Sequence, residues 1–294
     1  MNRRLALSAL GALPLLALAC GRRRTEIMTT PSTTTPTESA AKAPVIFAAH
    51  GAPVLLDDPD WMAELNAWAK AMPRPKSILM ISAHWEQRPT TLGATRAVPL
   101  VYDFYNFPER YYRTQYPAPG APALAQRVRE LLREKQHPCT DDPERGLDHG
   151  AYVPLVAMYP NADVPVLQIS MPGLVPKELF ELGRTLAPLR DEGSLIFGSG
   201  FLTHNMQYAF RRGTPQWARE FDDWAKTAIE KHDVDALLDF QTRAPAARTA
   251  LPTWEHYAPF LVALGAAGEK PRVSFPITGF WMDGAFTRRS VQLA

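Results

Sequence analysis

Five histidines stand where their chemistry could be combined. His50 follows the apolar run Val45–Ala49, and His84 follows Ile78–Ala83. His204 comes after Leu195-Ile196-Phe197-Gly198-Ser199-Gly200, with a slightly longer spacer. A neutral imidazole offers one ring nitrogen to Zn2+ or Fe2+. One histidine behind a strand is an ordinary core residue; three repetitions of the arrangement point to a shared site. His149 in Leu147-Asp148-His149-Gly150 and His256 in Trp254-Glu255-His256-Tyr257 each neighbour a carboxylate. A carboxylate can fix an imidazole's tautomer and raise its basicity. Adjacency therefore predicts that Asp148 supports His149, and that Asn205 orients His204. His137 and His232 sit among charged residues and read as solvated. Gly198-Ser199-Gly200 lacks the spacing of a phosphate loop or nucleophile elbow, and no CxxC, Walker or GxGxxG pattern occurs.

These histidines need a scaffold that delivers strand ends to one place. Val45–Ala49, Ile78–Ile81, Val164–Ile169, Leu195–Phe197 and Val273–Ile277 read as short buried strands, apolar throughout and bounded by Gly, Pro or polar residues. Continuous apolarity predicts a sheet covered on both faces. Helical spacing appears over Trp61–Met72, Leu124–Leu132, Phe180–Leu186 and Trp217–Ile229. The sum is one α/β domain, with a mostly parallel or mixed central sheet flanked by helices. In such sheets ligands sit beyond the carboxyl ends of the strands, which predicts a metal site at the sheet edge. The prolines between residues 89 and 122 predict a long loop. Its aromatic residues (Tyr102, Phe104, Tyr105, Phe107, Tyr111, Tyr112) either line a ligand site or simply pack the loop. Gly198 and Gly200 read as joints that could free the His204 loop.

The formal charge is +2 over 294 residues, but six basic and two acidic residues lie in the first 43. The remainder is slightly acidic, so it lacks the basic footprint of a nucleic-acid partner. Arg3-Arg4 precedes a short apolar run, residues 5–19, that ends at Cys20. These are signal-peptide proportions. Leu16-Ala17-Leu18-Ala19-Cys20 resembles a lipoprotein lipobox, which implies export and an N-terminal lipid anchor facing the periplasm. Residues 21–43 are rich in Thr, Ser and Pro and read as a flexible linker. The folded domain is then residues 44–294. If Cys20 is lipidated, Cys139 is left without a disulfide partner and reads as a loop or strand-end residue.

His50-Gly-Ala-Pro, Ser82-Ala-His84-Trp-Glu, Leu147-Asp-His149-Gly, Thr203-His204-Asn205 and Trp254-Glu-His256-Tyr occur in this order. Together with Gly279-Phe-Trp-Met-Asp-Gly284, this series resembles the class III extradiol ring-cleaving dioxygenases. The likeness is to their DOPA-4,5-dioxygenase-like branch, related to the protocatechuate 4,5-dioxygenase catalytic subunit. The resemblance implies one divalent metal per chain, Zn2+ or Fe2+, a catechol-type substrate and O2. It implies His50, His84, His204 and His256 as metal ligands, and His149 as a histidine that contacts substrate or moves protons. His204 is also a candidate base. Better-known relatives use two histidines and a carboxylate, whereas His256 stands here where the carboxylate is expected, which leaves the metal open. A Zn-dependent hydrolase and a non-catalytic binding protein on the same scaffold are the alternatives.

Overall fold

A computed structural model describes residues 42–294. The signal-peptide, lipid-anchor and most of the linker expectations fall on residues outside that range. The chain runs β1 (Val45–Ala49), α1 (Pro59–Ala71), β2 (Ser77–Glu86), β3 (Thr90–Leu92), α2 (Pro122–Glu134), β4 (Cys139–Asp141), α3 (His149–Met158), β5 (Val166–Met171), α4 (Pro176–Leu186) and β6 (Ser194–Gly200). It continues through α5 (Gln216–Glu230), α6 (Val234–Leu238), α7 (Phe240–Arg243), α8 (Ala247–Ala250), α9 (Ala258–Ala266), β7 (Val273–Ser274), β8 (Phe280–Trp281), β9 (Phe286–Thr287) and β10 (Val291–Leu293). Eight strands form one mixed sheet in the order β4-β3-β5-β2-β6-β1-β10-β7, and β8 and β9 pair separately. The central four, β5-β2-β6-β1, are parallel, while β10 joins β1 antiparallel. This is the expected single α/β domain.

Alternation along the central strands explains why both faces are apolar. Val45, Phe47, Leu79, Ile81 and Ile196 pack beneath α2, α4, α5 and α9. Ile46, Ile78, Met80, Leu195 and Phe197 pack beneath α1 and α3. Successive side chains leave a strand on opposite faces, so a strand buried on both sides must be apolar at every position. Helix α9 is buried along its whole length. It lies so close to β6 that a Cβ at Gly198 would stand 2.6 Å from the Pro259 carbonyl oxygen, and one at Gly200 would stand 2.0 Å from that of His256. These glycines are therefore contact points for backbone and not joints, which corrects the expectation that they free the His204 loop.

The edges depart from the expected elements. The strand expected over Val273–Ile277 stops pairing at Ser274. Pro276 has no amide proton to continue a ladder, and the Ile277 carbonyl is taken by the Ser290 amide at 2.9 Å. Ala43 is buried; its amide donates to the Arg190 carbonyl at 3.0 Å and its carbonyl accepts from Arg190 Nε at 2.9 Å. The same guanidinium donates to the carbonyls of Ala266 and Ala267, satisfying the last turn of α9. Cys139 opens β4, as a strand-end residue, and is a free thiol. No helix among the described residues is long and apolar enough to cross a membrane.

Candidate active site

The parallel strands deliver the histidines to the carboxyl edge of the sheet. His50 is the first residue beyond β1, His84 lies near the end of β2, and His204 follows β6 by four residues. His149 is the first residue of α3, and His256 sits in the turn before α9. The ring centroid of His50 is 5.0 Å from His84, 5.5 Å from His149 and 5.3 Å from His256. His84 is 4.0 Å from His149 and 4.9 Å from His256. His204 stacks on His256, with centroids 3.6 Å apart and planes 7° from parallel. The histidines thus form two adjoining groups, His50–His84–His149 and His204–Glu255–His256. His137 and His232 are not among them. His232 is half-buried, and its Nδ1 is enclosed without a partner, so it is not the solvated residue expected.

Hydrogen bonds fix which nitrogen each ring presents. Ser199 Oγ donates its one proton to the Gly150 carbonyl. At 3.1 Å from Ser199 Oγ, His50 Nδ1 must therefore be the donor, which leaves His50 Nε2 with its lone pair. Asp103 Oδ1 accepts from His149 Nδ1 at 2.8 Å and from the His149 amide at 3.0 Å. Asp103 Oδ2 faces His84 Nδ1 at 3.5 Å. The hydrogen bond fixes His149 with Nε2 turned away from the carboxylate, and the charge on Oδ2 favours the same tautomer in His84. Glu255 Oε1 lies 2.9 Å from His256 Nδ1 and does the same there.

Electrostatics favours neutral rings. Burial, reinforced by His84, holds His50 well below its ordinary value, and burial with His204 does so for His256. Burial and His149 bring His84 down to about 3. Burial brings His204 to about 4 against the opposing pull of Glu255. Burial alone would push the Asp103 carboxyl up, but the hydrogen bonds that it accepts from His149 outweigh it and hold Asp103 at about 2.

A metal fits this donor set. His50 Nε2 and His84 Nε2 are 3.2 Å apart. Two unprotonated nitrogens at that distance repel unless a cation or a proton lies between them. Nitrogens about 2.1 Å from one ion and subtending about 100° would be separated by about that distance. Small neighbours give access: a Cβ at Gly150 would come 2.8 Å from His84 Cδ2 and 3.3 Å from His50 Cε1. Phe201 closes one side, its ring 5.1 Å from His50 and 6.1 Å from His256.

Two expected supports act elsewhere. Asp148 caps α3, accepting from the Ala151 amide at 3.1 Å and from Gln168 Nε2. Its extended N-cap backbone turns the carboxylate toward the following amides, away from the His149 ring. Asn205 caps the next turn, accepting from the Gln207 amide at 2.9 Å and donating to the Thr249 carbonyl at 2.6 Å. Asp103, Ser199 and Phe201 are the partners that adjacency did not reveal. In the aromatic loop, Phe104 meets the His149 ring at 5.8 Å, whereas Tyr105 is 81 % exposed and packs on nothing at the site.

A mixed α/β sheet with imidazoles gathered beyond its parallel strand ends has the donor set of the α/β metalloenzymes. Residues 44–287 match the family described as the catalytic LigB subunit of aromatic ring-opening dioxygenase. The chain is 40 % identical over 246 residues to the 4,5-DOPA dioxygenase extradiol of Beta vulgaris, covering 81 % of this chain and 91 % of that one. It is 37 % identical over 267 residues to the Escherichia coli K12 protein of the same name, covering 87 % and 96 %. A crystal structure of an uncharacterized Escherichia coli K12 protein superposes with a TM-score of 0.74 at 35 % identity, over 86 % of this chain and all of the other. The chain belongs to the LigB family and is a metal-dependent extradiol dioxygenase that opens an aromatic ring with O2. The hydrolase and binding-protein alternatives have no support among these relatives.

Proposed function

We propose that the substrate is a catechol with a polar side chain, of the kind named for the 4,5-DOPA dioxygenase relatives, and that His50, His84 and His256 hold one Fe2+. The observation that carries the metal reading is the approach of the His50 and His84 Nε2 atoms to 3.2 Å, with the buried His256 ring centred 5.3 Å from one ring and 4.9 Å from the other. Held by these three imidazoles, an Fe2+ ion would supply an anchor for the diol and an electronic link to O2, chemistry that redox-inert Zn2+ does not supply.

The side chains supply the rest. His149 is held by Asp103 with Nε2 free, the form needed to accept a diol proton as general base. Phe201 forms an apolar wall beside His50 and His256. His204 stacks on His256 and has its backbone tied to the Ala250 carbonyl at 2.8 Å, so it steadies the His256 ring and forms part of the wall. Metal analysis tests the assignment. Replacing His50, His84 or His256 by Ala should reduce bound metal far below that of a His137→Ala control. Equal metal in all four variants would contradict it.

We also propose that the protein is exported and lipid-anchored. The support is in the sequence alone: Arg3-Arg4, the apolar run 5–19, Cys20 and the Thr/Ser/Pro-rich segment behind it.

A further inference from the structure

We propose that Asp103 is a positioning residue that sets the tautomers of His84 and His149 together, so that one carboxylate governs both metal retention and proton acceptance. The inference rests on the assignment of His84 to the metal and His149 to the base.

The geometry divides the carboxylate between two tasks. Oδ1 takes two donors of His149, the ring Nδ1–H at 2.8 Å and the amide at 3.0 Å. Oδ2 faces Nδ1 of His84 at 3.5 Å, an electrostatic contact longer than a full hydrogen bond. An ionised carboxylate only accepts, so His149 must keep its proton on Nδ1 and its lone pair on Nε2, and the negative Oδ2 favours the same tautomer in His84. The two rings lie 4.0 Å apart, so a tautomer change in either alters the polar surroundings of the other. The carboxylate is not placed by chance. Val101, two residues before it, donates its amide to the Leu147 carbonyl at 2.9 Å, two residues before His149. Tyr102 anchors the same loop through its hydroxyl to the Thr114 carbonyl at 2.7 Å. The loop and the entry to α3 are thus one unit, and Asp103 is its contact with the metal side.

Substitution separates the two tasks. In Asp103→Asn the amide has one acceptor end and one donor end. The two donors of His149 hold the oxygen, so the NH2 group meets His84 Nδ1. His84 must then move its proton to Nε2 or lose the contact. Removal of such an outer partner weakens metal binding by about 10- to 100-fold.

The experiment is Zn2+ titration of the full chain against a chromophoric chelator, with kcat and KM measured separately on a catechol at saturating Fe2+. Asp103→Asn should bind Zn2+ about 10- to 100-fold more weakly and keep KM within about threefold. Asp103→Ala should add a fall in kcat on the order of a hundredfold, because His149 is also released. Asp57→Asn is the control: it loosens the same loop at Arg110 and Tyr111 without touching either histidine. It should leave Zn2+ affinity unchanged. Wild-type affinity in both Asp103 variants, while His84→Ala loses Zn2+, would overturn the inference and leave the site assignment standing. An equal loss in Asp57→Asn would also overturn it, since the effect would then be loop order. If His84→Ala itself keeps Zn2+, the site assignment falls first and the inference with it.

Discussion

Gly150→Ala sets two opposed effects against each other. Gly150 is the second residue of α3, and replacing a helix glycine by alanine ordinarily stabilises by about 0.5–1 kcal/mol. Here the added Cβ would stand 2.4 Å from Ser82 Oγ, 2.8 Å from His84 Cδ2 and 3.3 Å from His50 Cε1. Ordinary carbon contacts need about 3.5 Å or more, so the His84 ring must retreat by several tenths of an ångström. Overpacking of this kind costs about 1–3 kcal/mol. The net is a destabilisation of about 0–2.5 kcal/mol, or a drop of up to about 10 °C in melting temperature at 2–4 °C per kcal/mol. The larger effect falls on function, because a displacement approaching 1 Å at a reacting centre can cost about a hundredfold in rate. The assays are thermal unfolding, bound metal per chain and kcat on a catechol. A folded variant with reduced metal and kcat down by about one to two orders of magnitude is expected. Full metal content and wild-type kcat would refute the packing of α3 against the two imidazoles.

Gly200→Ala should fold less stably and bind less metal, because its Cβ would overlap the His256 carbonyl at 2.0 Å; metal analysis beside a melting curve checks this. Ser199→Ala removes the acceptor that fixes the His50 tautomer, and Zn2+ affinity should fall by about 10- to 100-fold in a chelator titration. The chelator-treated chain should lose stability on acidification. His204 at about 4 and His84 at about 3 lie below the unfolded value near 6.5, so the unfolded chain binds more protons between those limits. Their contribution is complete above pH 6.5 and is lost as pH falls toward 4, at up to about 1.4 kcal/mol per pH unit per group; urea midpoints from pH 7.5 to 4.5 measure it, and a flat profile would contradict it. Cys20→Ser should shift the protein from the membrane to the soluble fraction of its cell, as fractionation would show.

The central strands and the histidines behind them were legible because burial on both faces makes a strand apolar at every position. His50 and His84 then follow from the strand ends. The short strands β3, β4 and β8 carry too few residues for any period to appear, whereas β7 was legible within Val273–Ile277 and ends early at Ser274. Asp103 was hidden for a different reason. It reaches His149 across 46 residues from a loop with no periodicity, and its only trace in sequence is a single carboxylate between Tyr102 and Phe104. Adjacency misled at Asp148, where a helix N-cap claims the side chain for its own amides, and succeeded at Glu255, where no helix has yet begun.

Oxygen incorporation tests the central claim most directly. The full chain, reconstituted anaerobically with Fe2+ and given a catechol and isotopically labelled O2, should yield a ring-opened product carrying both labelled atoms, with one O2 consumed per ring. His50→Ala should yield none. Oxygen uptake that ends in peroxide with the ring intact, or a ring-opened product without label, would contradict the account.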